Sequence, residues 1–270
     1  MGQLKLQKPK VIIMDVIGTA VKLGFIEKIL IPYVKSDIKE YLTEKWTDKN
    51  LKKNIERMRK ESEKDGESGA KIAAANAPEA EQQESVATYV LAAVDAKKES
   101  KGLQMFKFYM WFYGFEKGKL ETPVYSDVPI QARKWKDMDV KLYMLSNGWT
   151  EFTKRALSKT SHGDLNLLID GHYDSSEGQL NNKETYTKLL AKLKVKPDEC
   201  LFMTKSAEAA HAAKEAGISI LLVLTHRKNI EKLTEEEKQM PRIRSFNELE
   251  FSSKEGGGEG AAQPPAEANA

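Results

Sequence analysis

Apolar residues gather in four short runs along the chain, at 11–14, 142–145, 201–203 and 218–224. Each is rich in Val, Ile, Leu or Met and is bounded by polar or turn residues. Runs of this kind predict buried strands rather than half-exposed ones. Between them the spacing of apolar positions turns helical. Thr150 is placed to cap a helix through about Ser158, Asn182 one through about Leu193, and Ser206 an alanine-rich one that Gly217 stops. Strand alternating with helix predicts an α/β fold, a parallel sheet with helices on both faces.

A long stretch without strand signals separates the first two runs. Helical spacing covers 25–46 and 51–63, with Pro32 as the expected kink, and returns at 86–96 and 106–115. A mostly helical insertion of this length predicts a separate cap over the sheet. The expected organisation is a first strand and loop over 1–22, a cap over 23–120, and the rest of the core over 121–251. Within the cap, 66–84 is rich in Ala, Glu and Gly and is expected to be a mobile connection. The segment 252–270 is Gly-, Ala- and Pro-rich with almost no apolar bulk. Such a composition does not offset the entropy of ordering, which predicts a disordered tail.

The 270 residues carry 43 Lys plus Arg against 40 Asp plus Glu, a formal net charge of +3. That near balance argues against nucleic acid as a partner, because dedicated binders concentrate positive charge. No run approaches the roughly 20 apolar residues of a membrane span, so no membrane partner is expected. The single cysteine, Cys200, excludes an internal disulfide framework and fits a reducing compartment. The N-terminus is basic and polar (Lys5, Lys8, Lys10) and lacks the apolar stretch of a secretion signal. Gly2 follows Met1, but Leu6 stands where a myristoylation pattern needs Ser or Thr. These features predict a soluble protein of the cytoplasm, with the nucleus as a further location.

Ligands of an open parallel sheet bind beyond the carboxyl ends of its strands. After the first run come Asp15, Val16, Ile17, Gly18 and Thr19. After the second come Ser146, Asn147 and Gly148, and after the third Thr204, Lys205 and Ser206. A strand-tip carboxylate followed by Gly-Thr has the form of a phosphoryl-accepting nucleophile. A Ser-Asn-Gly turn opening a helix offers a hydroxyl and backbone N–H groups to phosphate oxygens. Alone, the aspartate reads as a turn residue and Ser-Asn-Gly as a common turn. Their shared place at strand ends joins them. The four histidines, His162, His172, His211 and His226, form no zinc spacing with one another or with Cys200. The aromatic run from Met105 to Tyr113 reads first as a helix in the cap core and second as a ligand wall. The clusters Arg57-Met58-Arg59-Lys60 and Arg242-Ile243-Arg244 read as solvated faces.

Further segments carry a resemblance to a known family. They are Phe25-Ile26-Glu27-Lys28-Ile29-Leu30-Ile31-Pro32-Tyr33, Val124-Tyr125-Ser126-Asp127-Val128-Pro129, Arg133-Lys134-Trp135, Asp170-Gly171-His172-Tyr173-Asp174, Leu201-Phe202-Met203-Thr204 and Ser245-Phe246-Asn247-Glu248-Leu249. In this combination the chain resembles the enolase-phosphatases (acireductone synthases) of methionine salvage, in the haloacid dehalogenase (HAD) superfamily, from about Lys10 to Leu249. The resemblance implies a Rossmann-like core with a helical cap. It also implies magnesium-dependent dephosphorylation and enolisation of 2,3-diketo-5-methylthiopentyl-1-phosphate.

Carried over by position, it makes Asp15 the nucleophile and Ser146, with Asn147, Gly148 and Thr19, the phosphate-binding group. Ile17 then stands at the general-acid position, Leu180 at that of a phosphate-facing lysine, and Lys205 at that of a magnesium-binding aspartate. Lys183 lies one helical turn beyond Leu180 as a substitute, and Glu208 is the acid nearest to Lys205. The expected function is therefore that of a catalytically impaired or inactive enolase-phosphatase relative. It would bind a small phosphorylated ligand or other anion, hold metal weakly if at all through Asp15, and need no cofactor. The alternative is an active, magnesium-dependent enolase-phosphatase. No protein partner is identified.

One expectation concerns the tail alone. Deleting the residues beyond Ser252 should leave the thermal midpoint unchanged in calorimetry. A clear drop would show that the tail docks on the folded chain.

Overall fold

A computed structural model describes residues 3–64 and 70–252. Its strands are β1 (Leu4–Gln7), β2 (Val11–Asp15), β3 (Lys141–Ser146), β4 (Gly171–Asp174), β5 (Cys200–Thr204), β6 (Ser219–Val223), β7 (Arg242–Ile243) and β8 (Leu249–Ser252). A six-stranded sheet runs β4-β3-β2-β5-β6-β7, and β1 pairs separately with β8. All pairings are parallel. The four apolar runs form β2, β3, β5 and β6, which lie side by side at the middle of the sheet.

Alternation along these strands sorts the core into two layers. Ile12, Met14, Leu142, Met144, Leu201, Met203, Leu221 and Val223 face one side. Val11, Ile13, Cys200, Phe202, Ile220 and Leu222 face the other. The first side is covered by α5 (Asp127–Asp137), through Val128, Ala132 and Trp135, and by α6 (Thr150–Ser158), through Phe152, Ala156 and Leu157. The second is covered by α7 (Lys183–Leu193), through Tyr186, Leu189 and Leu190, and by the alanines of α8 (Ala207–Glu215). Ile12, Ile13 and Met14 of β2 are fully buried, and each such side chain contributes about 1.5–3 kcal/mol of burial free energy.

The caps differ from expectation at one helix. Asn182 accepts from the Glu184 N–H, and Ser206 from the Ala209 N–H, as their sequences predict. Thr150 is instead the first helical residue of α6, and Trp149 before it makes no side-chain cap bond. The capping carboxylate comes from β4, where Asp174 accepts from the Thr150 N–H at 2.7 Å and from its hydroxyl. Burial opposes ionisation of Asp174, but the bonds from Ser176 and Thr150 outweigh it and hold the group at about 2.

Between β2 and α5 the insertion holds α1 (Ile31–Lys45), α2 (Lys49–Glu63), α3 (Glu79–Asp95) and α4 (Lys101–Glu116). Helix 25–46 is not a single kinked rod. A wide π turn, Ile26–Leu30, precedes α1, closed by the Ile31 N–H on the Ile26 carbonyl. Pro32 follows in the first turn of α1, where its missing N–H costs nothing.

The connection expected over 66–84 is corrected in part. Residues 65–69 lie outside the described residues, and 79–84 open α3. The stretch between is pinned. Arg59 donates to the Ala73 carbonyl at 2.6 Å, Ser85 accepts from the Ala73 N–H at 2.9 Å, and Ile72 is buried. Arg59 is thus itself buried rather than part of a solvated face, because its guanidinium serves a backbone carbonyl. The expected tail lies outside the described residues except Ser252, which ends β8 beside Gln7. Among the described residues, no helix is long and apolar enough to cross a membrane.

Gly114 sits where α4 meets the chain leaving the insertion. A Cβ there would lie 2.7 Å from Leu120 Cδ1 and 2.8 Å from Tyr33 Cζ, both on buried side chains. Alanine gains about 1 kcal/mol of helix propensity over glycine, while overpacking costs about 1–3 kcal/mol. Gly114→Ala should therefore lower stability by up to about 2 kcal/mol in urea titration, overpacking winning; a raised midpoint would contradict this packing.

Candidate functional site

β2 is buried along its whole length and ends at Asp15, whose residue is 8% exposed. The Val16 N–H donates to Oδ1 at 2.7 Å. The Thr204 hydroxyl, at the tip of neighbouring β5, donates to Oδ2 at 3.2 Å. Lys205 Nζ lies 3.9 Å from the same oxygen. Burial disfavours the charged carboxylate and pushes Asp15 above the usual carboxylate range. The Lys205 ammonium, the Val16 N–H and the Thr204 and Thr19 hydroxyls oppose that push without cancelling it.

Lys205 is held from several directions. Its ammonium donates to the Ile17 carbonyl at 2.5 Å, and its backbone N–H donates to the buried Thr19 hydroxyl at 3.1 Å. Its stem lies across Gly18, where a Cβ would come within 2.4 Å of Lys205 Cδ. Gly18 also has a φ of +86°, so glycine is required there for both space and backbone. The ammonium therefore bridges a backbone carbonyl and a carboxylate at the tip of the central strand.

That arrangement does not fit magnesium. A hard divalent cation seeks several oxygen ligands, near-octahedral for magnesium. The Asp15 Oδ2 and the Ile17 carbonyl already face a fixed positive charge, and Asp15 Oδ1 accepts the Val16 N–H. Among the described residues no group of three or more His, Cys, Asp or Glu side chains could hold a metal. Glu208 is exposed on the first turn of α8 and lines a cavity of about 180 Å³ together with Asp15 and Lys205.

A cavity of about 420 Å³ opens above these groups. Asp15, Ile17, Ser146, Asn147, Gly148 and Lys205 form its sheet side. Lys107, Phe108 and Trp111 of α4, with Phe152 of α6, form the wall opposite. The Ser146 hydroxyl accepts the Gly148 N–H at 3.0 Å, which shapes the turn leading into α6. The aromatic run of α4 thus serves both readings. Phe106, Met110 and Tyr113 are core residues, while Phe108 and Trp111 border the cavity.

Leu180 lines the same cavity of about 180 Å³ together with Asp15 and Lys205. Its side chain is buried in the core layer under the sheet, and its carbonyl accepts the Tyr186 hydroxyl at 2.7 Å. Lys183 does not stand in for a lysine here. It is exposed at the start of α7 and lines neither cavity, because Asn182 starts that helix too late to turn the side chain inward. His172 is inward-facing on β4 with Nδ1 unpartnered among the described residues; burial, then the nearby Lys154 charge, pull it down to about 4.

Sequence reasoning missed two participants. Thr204 was seen only as a strand-end residue, yet its hydroxyl is the inter-strand donor to Asp15. Lys107 is hidden inside the aromatic run, although a lone lysine among the eight apolar and aromatic residues of Met105–Tyr113 is a detectable break in the pattern.

No family model matches the chain. Enolase-phosphatase E1 of Danio rerio is 28% identical over 252 residues, covering 91% of this chain and 96% of that protein. The solved structure of the UTR4 protein of Saccharomyces cerevisiae superimposes with a TM-score of 0.70 at 18% identity, covering 88% of this chain and 99% of that one. The magnesium-bound HAD-hydrolase YfnB of Bacillus subtilis superimposes at 0.50 with 13% identity, over 90% of this chain and 97% of its own. The parallel α/β architecture is accordingly that of the HAD fold.

The site predicts a coupled pair. Lys205→Met should cost about 1–2 kcal/mol, below the cost of breaking a fully buried pair because Lys205 is partly exposed. In an Asp15→Asn background the same change should cost far less, so the two effects should not add. The sign with pH follows from the raised Asp15 value. The native state keeps its proton after the unfolded chain has lost it, so it loses stability as pH rises through that window. The cost of Lys205→Met should accordingly shrink as pH falls toward the unfolded carboxyl range. Chemical denaturation of the four proteins across pH checks this; additivity at neutral pH would refute the coupling.

Proposed function

This chain being a homologue of the enolase-phosphatases, we propose that it is a catalytically impaired one, which binds a small phosphorylated or otherwise anionic ligand without turning it over. The observation that carries the reading is the Lys205 ammonium at 2.5 Å from the Ile17 carbonyl and 3.9 Å from Asp15. It places a tethered single charge where the resemblance expects a divalent ion.

Two further positions support it. Ile17 offers no proton to a leaving oxygen, and loss of a general acid alone costs about 10²–10⁴-fold. Leu180 brings a hydrocarbon where the resemblance expects a lysine on the phosphate. Phosphoryl transfer depends mainly on positioning and charge, so these losses compound. What is retained is the binding half: the Ser146-Asn147-Gly148 turn, the buried Asp15 and a cation beside it. Cytoplasm or nucleus is the location that goes with this reading.

Calorimetry should show no magnesium binding at millimolar concentration. Phosphate release from a generic phosphomonoester with magnesium should be at background and indifferent to Asp15→Asn. Robust release that Asp15→Asn abolishes would establish the active enolase-phosphatase instead. Ile17→Glu, Leu180→Lys and Lys205→Asp combined should restore measurable magnesium-dependent release, while each single variant should not, because groups acting as one catalytic unit are strongly non-additive.

A further inference from the structure

Lys107 is charged in a place where packing gives no reason for charge. It stands between Phe106 and Phe108 on α4 and is 8% exposed as a residue. Its ammonium has one acceptor among the described residues, Glu99 Oε1 at 3.2 Å. An ammonium carries three donors, so two remain. The partner is loosely placed, for the Glu99 side chain is 71% exposed. Both residues line the same cavity as Asp15, Ser146 and Lys205.

A buried ammonium is costly unless paired, and a pair with one exposed member is readily exchanged. A ligand carboxylate arriving at Lys107 would replace the Glu99 carboxylate without desolvating the ammonium further. Glu99 would turn to the water it already faces. Besides Lys107 and the strand tips, the cavity is lined mainly by Phe108, Trp111, Phe152 and Ile26, with Gln104 and Thr153 as polar members. A volume of about 420 Å³ suits one small organic molecule.

We propose that this cavity takes a phosphate monoester whose far end carries a carboxylate, with Lys107 as the residue that selects for that second acid. The phosphate end rests on the anion-binding reading above, at the Ser146-Asn147-Gly148 turn. The connecting chain lies along the aromatic wall. Lys107 is thus a specificity residue supplied by the insertion, opposite the strand tips.

The test uses the full chain in EDTA, with two non-hydrolysable probes of equal length, ω-phosphonopentanoate and pentylphosphonate. Titration calorimetry should give ω-phosphonopentanoate an affinity about tenfold or more above pentylphosphonate, the factor an ionic hydrogen bond typically brings. Lys107→Met should abolish that advantage, bringing the two phosphonates to equal affinity. Glu99→Gln, an exposed change that does not threaten folding, should widen the advantage by removing the competing carboxylate. Equal affinities in the unmodified protein, an advantage that survives Lys107→Met, or no gain with Glu99→Gln would each overturn the role of Lys107 while leaving the strand-tip reading intact. Absence of binding by both phosphonates would overturn the strand-tip reading, and this inference with it.

Discussion

A carboxylate buried at the tip of the central strand is the constraint around which the site is built. The sheet is covered on both faces, so β2 is buried from Val11 to Asp15, and the acid at its end has little water. A group in that position needs donors and a counter-charge. The protein supplies donors from the next residue, Val16, and from the next strand, Thr204. It supplies the counter-charge from Lys205, whose own ammonium is anchored on the Ile17 carbonyl. The strand tip, the loop after it and the tip of β5 are thereby tied together. A tethered ammonium differs in kind from a free divalent ion. It is present at every ion concentration, carries one charge instead of two, and directs three N–H bonds rather than drawing in a full shell of oxygens.

The insertion is joined to the sheet by the same logic of burial. One continuous apolar cluster contains Ile12 and Met14 of β2, Tyr41 and Leu42 of α1, and Phe106 and Met110 of α4. Trp111 uses both of its ends. Its ring borders the cavity, and its Nε1–H donates to the Leu30 carbonyl at 3.1 Å, at the end of the π turn. That turn runs directly into α1, so the bond ties the cavity wall to the start of the insertion. The cavity wall is therefore continuous with the core and inherits its rigidity.

Ile17 and Leu180, at the edge of the site, also belong to the packing of the core. The apolar side chain of Leu180 adds to the core layer that also holds Tyr186 and Phe202. Ile17 packs against the opposite layer. At buried or half-buried positions an apolar residue is commonly no less stabilising than a charged one, because it has no desolvation cost. Apolar side chains at 17 and 180 are therefore compatible with the packing of both core layers.

The amino-acid sequence by itself determined the four central strands, the helices after three of them, and the convergence of Asp15, Ser146 and Lys205, because long apolar periodicities and strand-end positions are local properties. It did not reveal β4 or β7. The residues of β4, Gly-His-Tyr-Asp, are only partly buried, and β7 has two residues, so neither carries an apolar run. It placed the cap of α6 on Thr150, whereas the carboxylate comes from Asp174, twenty-four positions later. It set Lys183 beside Leu180 by helical spacing, but the start of α7 turns that lysine to solvent. And it could not show Lys107 facing Asp15 across a cavity, since their meeting depends on how an inserted helix packs over a sheet. Tertiary structure decided these because each one joins residues distant in the chain, and only the shared burial of their elements brings such groups within reach.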